Sequence, residues 1–174
     1  MSYLSVNEYK YGKIKHKVYL HYGGGYMRLY TVRGHVQDAV RAALHSEGVD
    51  KPCVINVLVT NDKGIRCYNR DYRNIDSATD VLSFPMQVFS HAGWIGLENA
   101  EFDEGTGLLP LGDIVISSET VKRQSEEYKN NIFYEWDYLT IHSTLHLLGY
   151  DHDNETNEKI MHDKAESIMR KLGT

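Results

Sequence analysis

Apolar residues recur at two different periods along the chain, and the switches between those periods divide it into elements. Across 15–22 apolar and polar residues alternate loosely, which predicts a strand whose lysines suit a sheet edge and which Gly23-Gly24-Gly25 closes. Val32, Val36, Ala39, Val40, Ala43 and Leu44 then fall three or four apart and predict a helix over about 31–46. Pro52 introduces a run rich in Val and Ile at 53–60, which reads as a buried strand. Asn61 or Asp62 can cap a helix that runs to about Arg73. A short strand is expected at 80–84, ended by Pro85, and another at 111–117. Between them, 87–110 is irregular and acidic, and is read as a mobile solvated loop. Ser118 opens a charged helix to about 130, and a second helix starts near 132. A third follows Asp153 or Asn154, with a packing stripe of Ile160, Met161, Ala165, Ile168, Met169 and Leu172. This order predicts an α+β fold: a small mixed sheet of about four strands, helices mainly on one side, and a metal site in a cleft beside it.

The chain's 174 residues suit one domain spanning 1–174. Cys53 and Cys67 form no disulfide framework and no Cys-x-x-Cys pair, which fits a reducing cytoplasm. No apolar run approaches the ~20 residues of a membrane span, and no secretory leader opens the chain, so a cytoplasmic protein is expected. The net charge of −5 argues against a nucleic-acid partner. Its distribution qualifies that, because residues 1–75 carry a balance of +6 and residues 76–174 a balance of −11. A basic face for phosphates can therefore exist on an acidic molecule. Seven tyrosines interleave with Lys and Arg in the first thirty residues, a composition that suits edge strands and equally suits stacking on single-stranded RNA bases.

The chemistry concentrates in His142-Ser143-Thr144-Leu145-His146-Leu147-Leu148-Gly149-Tyr150-Asp151-His152. Histidines four apart on a helix share a face, so His142 and His146 can aim at one ion. Gly149 ends the helix and permits the turn that brings His152 back. Three neutral imidazoles leave a fourth position open, as catalytic zinc sites do, although other transition metals also accept such a donor set. His35 and His45 fall off this spacing and are read as solvent-facing, and His91 and His162 as bystanders.

The ligand spacing is that of metzincin peptidases, but their general base, a Glu after the first histidine, is replaced here by Ser143. The segment more closely resembles the signature of the YbeY endoribonucleases, His-Gly-x-Leu-His-Leu-x-Gly-Tyr-Asp-His, departing from it at Ser143. Two further stretches fit that family in order: Asn69-Arg70-Asp71-Tyr72-Arg73 with Ala78-Thr79-Asp80-Val81-Leu82-Ser83-Phe84-Pro85, and Leu111-Gly112-Asp113-Ile114.

The resemblance implies a zinc-dependent, single-strand-specific endoribonuclease that matures the 3′ end of small-subunit ribosomal RNA and serves ribosome quality control. Its partners would be ribosomal RNA, the small ribosomal subunit and ribosomal proteins. It also implies that Arg73 points into the site to grip phosphate. Asp151, adjoining the third histidine, is read as a turn residue or as a carboxylate that orients a histidine, with assistance to proton transfer as the alternative. Ser83 and Asp113 are read as structural. The alternatives are a metallopeptidase-like hydrolase and a ribosome assembly factor in which zinc only holds the fold.

Overall fold

In a computed structural model of the chain, residues 14–25 and 29–173 are described. Tyr3, Tyr9, Tyr11 and Tyr26, part of the tyrosine-rich opening considered for base stacking, lie outside them. The elements run β1 (Lys17–Tyr22), α1 (Leu29–Ser46), β2 (Cys53–Thr60), α2 (Asp62–Arg73), β3 (Val81–Pro85), β4 (Val88–Phe89), β5 (Leu97–Glu98), β6 (Leu109–Ser117), α3 (Ser118–Tyr128), α4 (Ile132–Leu147) and α5 (Glu155–Leu172). Four strands form a mixed sheet in the order β1-β2-β6-β3. β1, β2 and β6 are parallel, and β3 runs antiparallel to β6. The expected α+β architecture is the one found, and the lysine-bearing first strand does occupy an edge.

The core follows from the period-two pattern of β2. Cys53, Ile55, Val57 and Val59 are buried on one face, where they join Val36, Val40 and Leu44 of α1 and Trp136, Ile141 and Leu145 of α4. Met161, Ala165, Ile168 and Met169 of α5 complete this cluster. Ile160, expected in the same stripe, is instead 49% exposed, because it lies a step off the face that meets α4. The opposite sheet face holds a smaller cluster of Ile65, Leu82 and Val115 under α2.

Helix ends are chemically specified. Asn61 accepts from the Gly64 amide at the start of α2, and Asn154 does the same for Asn157 in α5; each such cap contributes about 1 kcal/mol. Asp62 ties α2 to α3, accepting from Ser117 and Thr120 (2.5 and 2.8 Å) and pairing with Arg123. At the far end Asn74 takes the left-handed conformation and closes α2 directly after Arg73.

Residues 87–110 are only in part the solvated loop expected: 99–107 are exposed and form no strand or helix, while the stretch before them is ordered. β4 and β5 pair as a small two-stranded sheet. The segment is tied to the body by Gly93 N–H to the Leu148 carbonyl (2.9 Å), Trp94 Nε1–H to Asp50 (2.8 Å) and the Gln87 amide to the Pro110 carbonyl (2.8 Å). The period is too short in two-residue strands to register as a pattern. His35 also departs from expectation: its Nδ1 lies 3.1 Å from buried Asp137, and its ring stacks on Phe133.

His16 offers a test of the packing at the start of β1. The Cys53 amide donates to His16 Nδ1 at 3.3 Å, so the folded ring must be neutral there. Burial, and then the charge of Arg41, push its pKa down from 6.5 to about 4. The unfolded chain therefore binds this proton more readily, and the stabilisation is complete above about pH 6.5 and drains as the pH falls towards 4. In urea titrations, the wild-type midpoint should fall between pH 7 and pH 5 by more than that of His16→Gln; equal falls would contradict the assignment.

Candidate active site

α4 is the central helix, and the burial of its sides is what makes its last turn rigid. Trp136, Asp137, Leu139, Ile141, Ser143, Thr144, Leu145 and Leu147 are all buried, leaving His142 and His146 half-exposed on one stripe. Their Nε2 atoms lie 3.2 Å apart. Ligands about 2.0–2.1 Å from a tetrahedral ion stand about 3.3 Å from one another, so this spacing fits two ligands of one metal. Ring nitrogens of His142, His146 and His152 all lie within 4.8 Å of one another.

The protonation of His146 is set by its surroundings. Its Nδ1 is 2.8 Å from the Tyr150 carbonyl oxygen, which can only accept, so the proton sits on Nδ1 and the Nε2 lone pair faces His142. Two imidazole nitrogens facing at 3.2 Å need a cation or a proton between them. A second proton, which would make the pair cationic, is disfavoured, because burial, followed by the neighbouring imidazoles, pushes His142 down to about 4. Burial also lowers His146, against the opposing effect of its bond to Tyr150. His142 and His146 are therefore neutral near pH 7, and the three-histidine set fits a divalent transition metal.

Tyr150 is itself clamped. Its hydroxyl donates to Glu47 (2.7 Å) at the end of α1 and accepts from Lys164 (2.6 Å) of α5, while Lys164 pairs with Glu47 at 2.8 Å. Nothing in the residue pattern marks Glu47 or Lys164, since a single carboxylate and a single lysine on two distant helices carry no spacing signal.

An open cavity of about 410 Å³ lies in front of the imidazoles, lined by Arg73, Ser83, Gln87, Phe89, His146 and His152 among others. Arg73 and Asp151 both line it. Arg73 Nη2 donates to the Ser83 carbonyl at 3.4 Å, a long bond that leaves its other N–H groups for a ligand. Asp151 Oδ1 accepts from the His152 amide at 2.8 Å and so holds the turn that carries the third histidine. Gln87 and Phe89 were missed in the sequence because the segment holding them carried no recognisable period. Asp113 bonds to Asn56 within the sheet (2.8 Å) and does not line the cavity. Ser143 is fully buried, so the position occupied by the peptidase base offers no group to the cleft.

A central helix that ends in a histidine turn, facing an arginine across an open cleft, places a donor set that fits a metal ion beside a group that binds anions. The comparisons narrow the class. Residues 27–173 match the family model described as Endoribonuclease YbeY. The chain is 42% identical over 142 residues to the Endoribonuclease YbeY of Clostridium kluyveri, covering 78% of this chain and 86% of that one. It is 44% identical over 138 residues to that of Caldanaerobacter subterraneus, covering 79% and 85%. The chain belongs to the YbeY family. Its fold is shared with the solution structure of TM1509 from Thermotoga maritima, at a TM-score of 0.57 and 22% identity over 90% of this chain and 89% of that one.

Gly149 carries the turn, with φ of +82°, and a Cβ there would meet Phe89 Cβ at 2.6 Å. Gly48 is also left-handed (φ +68°), but nothing lies within 4 Å of a Cβ added to it. Gly48→Ala should therefore cost only the backbone penalty of about 1–2 kcal/mol, and Gly149→Ala clearly more. Urea denaturation of the two variants checks this, and equal costs would rule out the Phe89 contact as a constraint on the turn.

Proposed function

We infer that this chain is a metal-dependent endoribonuclease that cuts single-stranded RNA. In the cell its substrate is the 3′ region of small-subunit ribosomal RNA, with the small ribosomal subunit and its proteins as partners, a role in ribosome quality control, and the cytoplasm as its location. The observation that carries the reading is the cluster of His142, His146 and His152, two of whose rings, His146 and His152, share an open cleft with Arg73. Family membership supports RNA as the substrate class.

His142, His146 and His152 would hold the ion, with zinc the best match to three imidazoles and other transition metals acceptable. Such an ion supplies a +2 charge and an acidified water near neutral pH. The protein's own groups do the rest. Arg73 binds a phosphate oxygen through its free N–H groups and stabilises the added negative charge as the phosphorus becomes five-coordinate. Asp151 orients His152 through the amide bond of the turn. The Tyr150 carbonyl keeps the His146 proton on Nδ1. Phe89 and Gln87 wall the cleft.

Cleavage of a structured small-subunit RNA by the metal-replete protein tests the reading. Removing a donor aimed at transition-state charge typically costs 10²–10³-fold in rate, and Arg73→Glu, which also reverses the charge, should lose at least about that much while keeping its metal and its fold. His146→Ala should lose both metal, by elemental analysis, and cleavage. Identical activity in all three proteins would assign the cleavage to a contaminant. An assembly factor with a purely structural ion would instead lose stability in His146→Ala and retain biological activity in Arg73→Glu.

A further inference from the structure

Tyr72, the residue before Arg73, is 68% exposed although it belongs to an aromatic cluster. Tyr68, one turn earlier on α2, stacks beside it with ring centroids 6.2 Å apart and planes 12° from parallel. Phe84 of β3 meets it edge-on at 5.2 Å. Tyr68 and Phe84 are partly buried against the cluster of Ile65, Leu82 and Val115, so they hold the Tyr72 ring from below while most of it stays in water. A large ring kept in solvent on a firm base is well placed to stack on another flat group.

The surroundings say which flat group. Arg66, Arg70 and Arg73 recur along the same helix. Arg66 and Arg70 pair with Asp76 and Asp71, in fully solvated contacts that a phosphate can displace. Arg73 reaches the Ser83 carbonyl, and Ser83 and Pro85, on either side of Phe84, line the cleft. Because β3 is an edge strand, no further strand among the described residues separates the cleft on one face from the aromatic cluster on the other. A second run of rings, Tyr134, Tyr138 and His142 along α4, also leads to the site. It is unsuited to RNA: the Tyr134 hydroxyl is bonded to Glu166 at 3.2 Å, and Glu135 and Glu166 surround it with negative charge.

We propose that Tyr72, seated on Tyr68 and Phe84, is a base-stacking platform for single-stranded RNA, taking a nucleotide next to the one whose phosphate Arg73 holds. The strand leaves the cleft around β3, with its bases on the aromatic side and its phosphates along the arginine ridge. Stacking needs an unpaired base, so this platform would also discriminate against duplex RNA. The proposal rests on the endoribonuclease reading and is tested separately from it.

Binding is measured by fluorescence anisotropy with a cleavage-resistant 2′-O-methyl octa-adenylate and with a chain of equal length and charge that lacks bases. Wild type should prefer the octa-adenylate. Tyr72→Ala and Tyr72→Leu should weaken its binding roughly ten-fold or more, and Tyr72→Phe should stay within about two-fold of wild type. The phenylalanine variant also guards against misfolding as the cause. If Tyr72→Ala binds the octa-adenylate as wild type does while Arg73→Glu loses it, the platform is overturned and the endoribonuclease reading stands. Equal wild-type affinity for the base-free chain would also overturn the platform. An Arg73→Glu protein that cleaves RNA normally would instead remove the functional reading beneath it.

Discussion

The hydrogen bond from His146 Nδ1 to the Tyr150 carbonyl, at 2.8 Å, is the contact on which the site depends. It assigns the ring's proton to one nitrogen and so leaves the other as a lone pair, the form of the ring that a metal ion would need. The carbonyl can do this only because the chain has turned back at Gly149. It stays in place because Glu47 and Lys164 grip the Tyr150 hydroxyl from α1 and α5. Three helices distant in sequence thus converge on one ring nitrogen. A helix terminus exposed to water would fray over the range of motion that a three-ligand site has to exclude.

The sheet supplies the second constraint. With β3 at the edge, α4 on one face and α2 on the other can both present groups to the same opening. Arg73 stands at the last turn of α2, whose start is locked to α3 through Asp62 and whose end is closed by Asn74. An arginine side chain is long and loses much rotamer freedom when ordered. Anchoring its backbone at a capped helix end and one N–H on the Ser83 carbonyl removes part of that cost before a substrate arrives.

The periodic parts of this molecule could be read from residue order, and the parts that lack a period could not. β2 was predicted at its observed bounds and α2 nearly so, because Val/Ile alternation and an Asn cap are local signals. The helix, stop and return that bring three histidines together were likewise visible as spacing. The β4–β5 segment was misread because its order comes from single long-range bonds such as Gly93 to Leu148, which leave no trace in neighbouring residues. His35 was misread for the same reason, its partner Asp137 lying 102 positions away. Tyr72 illustrates a third limit. Its position in an α2 stripe suggests packing, and only the exposure of its ring distinguishes a platform from a core residue.

Charge brings the two helices into one electrostatic account. Both α2 and α4 end at the cleft, so each directs the negative end of its dipole at it, which favours cations there by roughly 0.3–1 kcal/mol apiece. α2 answers with Arg70 and Arg73 in its last turn. The last turn of α4 carries His146, which burial keeps neutral, so its own side chains leave the dipole without a compensating positive charge. A divalent ion on the imidazoles would supply that charge. Without it an approaching phosphate meets one arginine, a helix dipole of unfavourable sign and a chain of net charge −5. The same histidines that would give the ion its chemistry would therefore also supply the attraction that draws an anionic strand into the cleft, a local attraction that a chain of negative net charge can carry.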